Sequence, residues 1–164
     1  MIKSQFGEEG GNMHRPESNL SAFTQSLFEK KNNDLAADYS DVKAFIAALN
    51  SGLRTTNPSG WRSGLQGVFN MDQFLKYLAV NNAIVNWDSY GVMAHNFYFF
   101  NHTINKLTWI PWDHNEAMTG SPGITSTPQV GGGARTGLSL SMNEVTNSWP
   151  LIRYIADDPV FTDL

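Results

Sequence analysis

Residues 70–116, NMDQFLKYLAVNNAIVNWDSYGVMAHNFYFFNHTINKLTWIPWDHNE, carry two periodicities in succession and decide the fold. Asn70 with Gln73 three residues on is a capping-box pattern, and Phe74, Leu75, Tyr77, Leu78, Val80, Ile84 and Val85 follow it. Apolar residues cover most of that helix's circumference, which predicts a central helix. After the polar loop NWDSYGVMAHN come FYFFN and KLTWIPW, aromatic and β-branched runs separated by the turn-like HTIN. Their spacing predicts a short β-hairpin over 97–101 and 106–110.

Working outward, Val42, Phe45, Ile46 and Leu49 recur at helical spacing behind Ser40 as N-cap, with Gly52 placed to end the helix. Residues 51–69 are rich in Gly, Ser, Asn and Pro and read as a loop, as does the polar start of the chain, which is followed by the more apolar run NLSAFTQSLFEKK (19–31), an element of open type. Residues 119–137 form a long Gly/Ser/Thr/Pro stretch that includes Gly131, Gly132 and Gly133. It has neither of the phosphate-cradling glycine spacings, and reads as a flexible loop. Ser148 caps a further helix containing Leu151, Ile152 and Ile155, and Asp158-Pro159 starts another.

Composition narrows the function classes. The 164 residues carry 11 Lys and Arg against 15 Asp and Glu, for a net charge of −4, and no basic stripe marks a nucleic-acid binder. Cysteine is absent, which removes disulfides, thiolate nucleophiles and Cys-based zinc sites. His14, His95 and His114 are not at zinc-protease spacing and read as loop or core histidines. No stretch approaches a membrane-spanning length, and the first nine residues lack the apolar core of a signal peptide, so no membrane partner is expected.

The chemistry is concentrated around the hairpin. Asp88 follows the central helix, Asn96 lies eight residues later, and Asp113 follows the second strand. A folded-back hairpin brings all three towards one spot, and an oxygen-rich cluster of that kind suits Mg²⁺ or Mn²⁺. The flanking Trp87, Trp109 and Trp112 read as core residues that wall the site. Helix, Asp-bearing loop, Asn, hairpin and second Asp is also the order of parts in protein kinases, although the kinase Asn stands about five residues after its Asp.

The runs FLKYLAVNNAIVNWDSYG, HNFYFF, KLTWIPWDHNEAM and SWPLIRYIADDPVF, with GNMHRP, FEKK and SDVKAFIAALN upstream, closely resemble the CotH kinase family, the spore-coat-protein-H-like atypical protein kinases. The resemblance implies an α+β fold, the mostly helical large lobe of an atypical protein-kinase-like fold with a short β-hairpin. The whole chain, 1–164, is then a single partial domain, truncated from a larger one. The implied activity is transfer of the ATP γ-phosphoryl to Ser or Thr of a protein substrate with Mg²⁺ or Mn²⁺, in a spore coat or secreted setting. Asp88 corresponds to the catalytic-loop Asp, Asp113 and Asn96 to metal ligands, and Arg15 in GNMHRP to a basic residue that reaches a phosphate.

Two departures accompany the resemblance. Asn115 stands where many relatives carry a second Asp, and the Gly-rich loop and Lys of a small lobe have no convincing counterpart here. The acidic balance favours basic, Ser-rich protein substrates such as coat proteins. The rival reading is a non-catalytic pseudokinase that serves as an assembly module of a spore coat or cell surface.

Overall fold

The computed structural model describes residues 11–101, 106–119, 121–122 and 136–162. Strands β1 (Asn12–Pro16), β2 (Phe28–Lys30), β3 (Phe97–Asn101) and β4 (Thr108–Pro111) form one antiparallel sheet in the order β2-β1-β3-β4. Helices α1 (Ser40–Leu49), α2 (Leu53–Thr56), α3 (Pro58–Val68) and α4 (Met71–Ala83) lie between β2 and β3, and α5 (Pro150–Ala156) and α6 (Pro159–Thr162) follow the sheet. A two-residue parallel pair, β5 (Ser121–Pro122) with β6 (Thr136–Gly137), completes the described elements.

The hairpin forms as its sequence predicts, with Phe99 opposite Trp109 and Phe97 opposite Pro111. Alternation then sends Phe97, Phe99 and Trp109 to the inner face, all 1% exposed or less, and leaves Tyr98, Phe100 and Ile110 on the outer one. Pro111, which cannot donate to a ladder, sits at the end of an edge strand. The inner face packs on Phe45 of α1, Phe69 and Phe74.

The hairpin is not alone, however: β1 lies in the segment that reads as loop, and β2 in the more apolar run 19–31, whose type the sequence leaves open. β1 alternates like a strand, with His14 inside and Met13 and Arg15 outside, but Gly and Asn on its flank mask the pattern. His14 is fully buried and its Nε2 lies 3.2 Å from the Asp41 carboxylate, which joins the sheet to the first turn of α1. Asp41 Oδ1 also accepts the backbone N–H of Val42 at 2.7 Å. Burial works to raise the Asp41 carboxyl, but the His14 contact and the Val42 and Asn101 hydrogen bonds outweigh it and hold it below the usual range.

Residues 51–69 are likewise not a loop. Asn57 caps α3 by accepting the N–H of Gly60 at 3.1 Å, Pro58 occupies the first turn, and Trp61 and Leu65 bury one turn apart. Gly64 and Gly67 face open space, so each costs only its helix propensity, roughly 1 kcal/mol, which burial of an indole outweighs. Gly52 does not terminate α1; it has a right-handed φ of −60° and caps α2, while Asn50 closes α1. At its start, α1 is preceded by Tyr39 as N-cap rather than Ser40.

Asn70 caps α4, with the Gln73 N–H donating to its Oδ1 at 3.3 Å, but the reciprocal half of the expected capping box is not made, because the Asn70 N–H donates to the Leu107 carbonyl. This helix is one-sided rather than enclosed: Met71, Phe74, Leu78, Asn81 and Asn82 are buried, while Val80 is exposed. Ser148 does not cap α5, whose N-cap is Trp149. Asp158 does precede α6; its Oδ1 accepts the Val160 N–H and its Oδ2 receives Arg62 of α3 at 2.8 Å. Most of 119–137, including Gly131 to Gly133, lies outside the described residues.

Two outcomes check this account. Trp61→Ala should destabilise the protein by about 3–5 kcal/mol in urea denaturation, which a loop at 51–69 would not produce. A carboxyl whose folded value is depressed stabilises above its unfolded pKa, near 4, and that contribution disappears as pH falls through the folded value. The melting temperature should therefore fall on acidification below about pH 5, and more shallowly in Asp41→Asn.

Candidate functional site

The site begins where α4 ends. Asn81 lies on the same helical stripe as Phe74 and Leu78, 2% exposed, so its amide must find partners inside the protein. It does so in the following loop: Asn81 Nδ2 donates to Ser89 Oγ at 2.8 Å, Asn86 Nδ2 to Asn81 Oδ1 at 3.0 Å, and Ser89 Oγ to the Asn86 carbonyl at 3.0 Å. Val85 leaves the helix with φ +50°, uncommon for a β-branched residue, and starts the turn. Trp87 and Asp88 are thereby carried on a loop braced by Asn81, Asn86 and Ser89, although Asn86 Oδ1 is buried without a hydrogen-bond partner among the described residues.

Tyr90 anchors the same loop from beneath. Its hydroxyl donates to the Asn19 carbonyl at 2.8 Å and accepts the Leu151 N–H at 3.3 Å, and burial pushes its ionisation far above the ordinary value. Gly91 follows with φ +108°, where a Cβ would stand 2.8 Å from Ile152 Cδ1 and Leu138 Cδ1. The backbone conformation therefore demands glycine there, while a Cβ would also displace the ends of the Ile152 and Leu138 side chains.

Asp88 and Asn96 meet directly. Asn96 Nδ2 donates to Asp88 Oδ2 at 2.8 Å and to the Asp88 carbonyl at 2.9 Å. The amide nitrogen is thus committed to Asp88, so Oδ1 is the atom Asn96 can offer to a cation. Asp113 arrives by backbone: the Trp112 N–H donates to the Asn96 carbonyl at 3.0 Å, just beyond the last strand pair. Asn96 and Asp113 both adopt left-handed φ, +66° and +55°, a region that Asn and Asp tolerate better than other side chains with a Cβ.

The stretch after Asp113 is fastened back to α4, because the Met118 N–H donates to the Ile84 carbonyl at 2.8 Å. Trp87 Nε1 donates to Thr119 Oγ1 at 3.0 Å. Asp113, His114 and Asn115 are exposed, and the Asp113 carboxylate has no hydrogen bond or ion pair among the described residues. Among the described residues, no three His, Asp or Glu side chains stand close enough together to form a metal cluster by themselves. A cation here would draw on Asp113 and the Asn96 amide oxygen, which are hard oxygen donors of the kind Mg²⁺ and Mn²⁺ take.

Arg15 lies on the outer face of β1, with Glu17 at 3.8 Å and Glu29 at 3.9 Å. Extending the β1–β3 register by one residue sets it against Tyr98, whose ring meets Trp112 edge-on at 5.9 Å. Arg15 is therefore at the end of the sheet that carries Asn96 and Trp112. The three tryptophans part company: Trp109 is core, Trp87 is half-buried, and Trp112 is 58% exposed rather than packed inside. His14 is a core histidine and His114 an exposed one, whereas His95 places Nε2 3.4 Å from Asp88 Oδ1.

Sequence reading missed Asn81, Asn86 and Ser89. Their signal was an amide on the apolar stripe of an otherwise amphipathic helix. It also missed His95, whose proximity to Asp88 depends on the left-handed turn at Asn96.

Fold and site together define a mixed α/β domain with an oxygen-donor site at the end of a sheet, built from one loop and one hairpin exit. The family model described as CotH kinase protein matches residues 1–164, and the chain belongs to that family. Searches of curated proteins and of solved structures found no match. No described helix is long and apolar enough to cross a membrane.

Gly91→Ala should lower stability by more than about 1 kcal/mol, through both its positive φ and the clash with Leu138 and Ile152. Urea denaturation checks this, and an unchanged midpoint would contradict the packing described for the loop.

Proposed function

We propose that this chain is the large-lobe part of an atypical protein kinase that transfers the γ-phosphoryl of ATP to Ser or Thr of a protein substrate. The observation that carries this reading is the double hold of the Asn96 amide on Asp88 together with the Trp112–Asn96 backbone bond. One carboxylate is oriented by its neighbours, while a second, Asp113, is exposed and follows directly on the residue whose N–H is bonded to the Asn96 carbonyl. That division suits two roles, one carboxylate facing a substrate hydroxyl and one facing a cation.

In this reading the substrate hydroxyl oxygen attacks the γ-phosphorus as the bond to the ADP oxygen breaks, and Asp88 accepts the hydroxyl proton. Asp113 and Asn96 Oδ1 would hold Mg²⁺ or Mn²⁺, which would supply charge neutralisation for the phosphate. Arg15, at the same end of the sheet, reaches a phosphate by exchanging Glu17 and Glu29 for it. Most of the chain's contribution is positioning, since Asn81 holds Ser89 and Asn96 holds Asp88 before any ligand arrives. The net charge of −4 favours basic, Ser-rich substrates, and the family name points to a spore-coat setting.

A second reading, a non-catalytic assembly module, is favoured by one observation. Asn115 supplies an amide where a further carboxylate would strengthen metal binding, and no cluster of three acidic or His side chains compensates among the described residues.

Calorimetric titration of ATP with Mn²⁺ into the folded chain distinguishes them. The kinase reading expects metal-dependent binding, lost in Asp113→Ala, and phosphotransfer reduced by at least about a hundredfold in Asp88→Asn. A folded chain that binds no nucleotide, with coat or surface assembly unaffected by Asp88→Ala and Asp113→Ala, would establish the assembly module instead. Transfer to an Arg/Ser-repeat peptide should weaken as salt rises; insensitivity to salt would count against the charge argument.

A further inference from the structure

His95 has no role in the reading above, yet its imidazole is the second group on the Asp88 carboxylate. We propose that His95 is a positioning residue for Asp88: it holds Oδ1 while the Asn96 amide holds Oδ2, and together they fix the plane of the carboxylate. The assignment rests on Asp88 being the residue that faces the substrate hydroxyl.

Successive side chains of an extended segment point to opposite faces, so neighbours such as His95 and Asn96 do not ordinarily meet one target. The left-handed φ of +66° at Asn96 breaks that alternation, and both side chains converge on Asp88. Asn96 alone leaves the carboxylate free to pivot about the held Oδ2, because its second bond goes to the backbone carbonyl rather than to Oδ1. A donor on Oδ1 removes that freedom.

Nε2 is the ring atom facing Oδ1, at 3.4 Å, longer than a closed hydrogen bond. Contacts of this kind are often long in the absence of ligand and tighten in the complex. The side chains fit the roles by exposure as well: Asp88 is 19% exposed and His95 38%, so the imidazole lies at the more open side of the carboxylate. Each carboxylate oxygen has two lone pairs, and one donor on each leaves acceptor capacity for an incoming hydroxyl.

The test uses the full chain, ATP with Mn²⁺ and an Arg/Ser-repeat peptide. His95→Phe keeps a ring and removes the donor; His95→Gln restores an N–H at similar reach. His95→Phe should lower kcat about tenfold to a hundredfold with KM for ATP within about twofold, and His95→Gln should recover most of the loss. Adding His95→Phe to Asp88→Asn should cost nothing further.

A readout independent of activity accompanies these. In long-range ¹H–¹⁵N spectra the His95 Nε2 proton should be visible in the wild type and lost by exchange in Asp88→Ala. Wild-type kcat in His95→Phe beside an inactive Asp88→Asn would overturn the assignment alone, as would equal losses in His95→Phe and His95→Gln. A wild type that transfers no phosphate, or an active Asp88→Asn, would overturn the reading of Asp88 and this assignment with it.

Discussion

Trp109 is the contact on which the sheet, the long helix and the site loop jointly depend. Its indole is fully buried, stacked on Phe97 at 3.9 Å with the rings 9° apart, and it meets Phe74 of α4, Tyr90 of the site loop and Phe99 edge-on. Each such pair adds roughly 0.5–1.5 kcal/mol beyond its buried area. The packing also fixes register. A one-residue slip of β4 against β3 would turn Trp109 outward, and it would separate the Trp112 N–H from the Asn96 carbonyl. The core residue and the site are thus set by the same strand pairing.

The polar part of the structure follows from a shortage of charge. Charged residues are 16% of the chain, and the loop that carries Asp88 is held by Asn81, Asn86, Ser89 and Asn96 rather than by Arg or Lys. Neutral donors orient a carboxylate without cancelling its charge, which leaves that charge for a ligand. The cationic partners are used elsewhere: Arg62 on Asp158 and Arg153 on Asp157 hold the C-terminal helices in place.

What the sequence made legible was strong periodicity with clear punctuation. The hairpin, the Asn70 cap of α4 and the buried stripe of α1 stand where their patterns put them, and Asp88 and Asn96, expected near one another, are hydrogen-bonded. The α3 helix was hidden because Gly60, Gly64 and Gly67 read as breakers, although Asn57, Pro58 and the Trp61/Leu65 pair were enough to form it. β1 was hidden because five residues are too few to show alternation beside a Gly-rich flank, and its pairing with β3 spans most of the chain. The contact between His95 and Asp88 was hidden for a different reason: it depends on a single backbone sign at Asn96, which no side-chain pattern encodes.

The Tyr90 hydroxyl has a consequence for the order of folding. It ties the site loop to Asn19 on one side and to Leu151 on the other, partners 71 and 61 residues away along the chain. Closing loops of that length costs entropy before any contact compensates it, and contacts of this span form late. During synthesis, the helices between residues 40 and 83 can pack while the loop beside them still lacks its support, which arrives only with α5. The site loop therefore gains this support only once a segment about sixty residues further along has been made and folded.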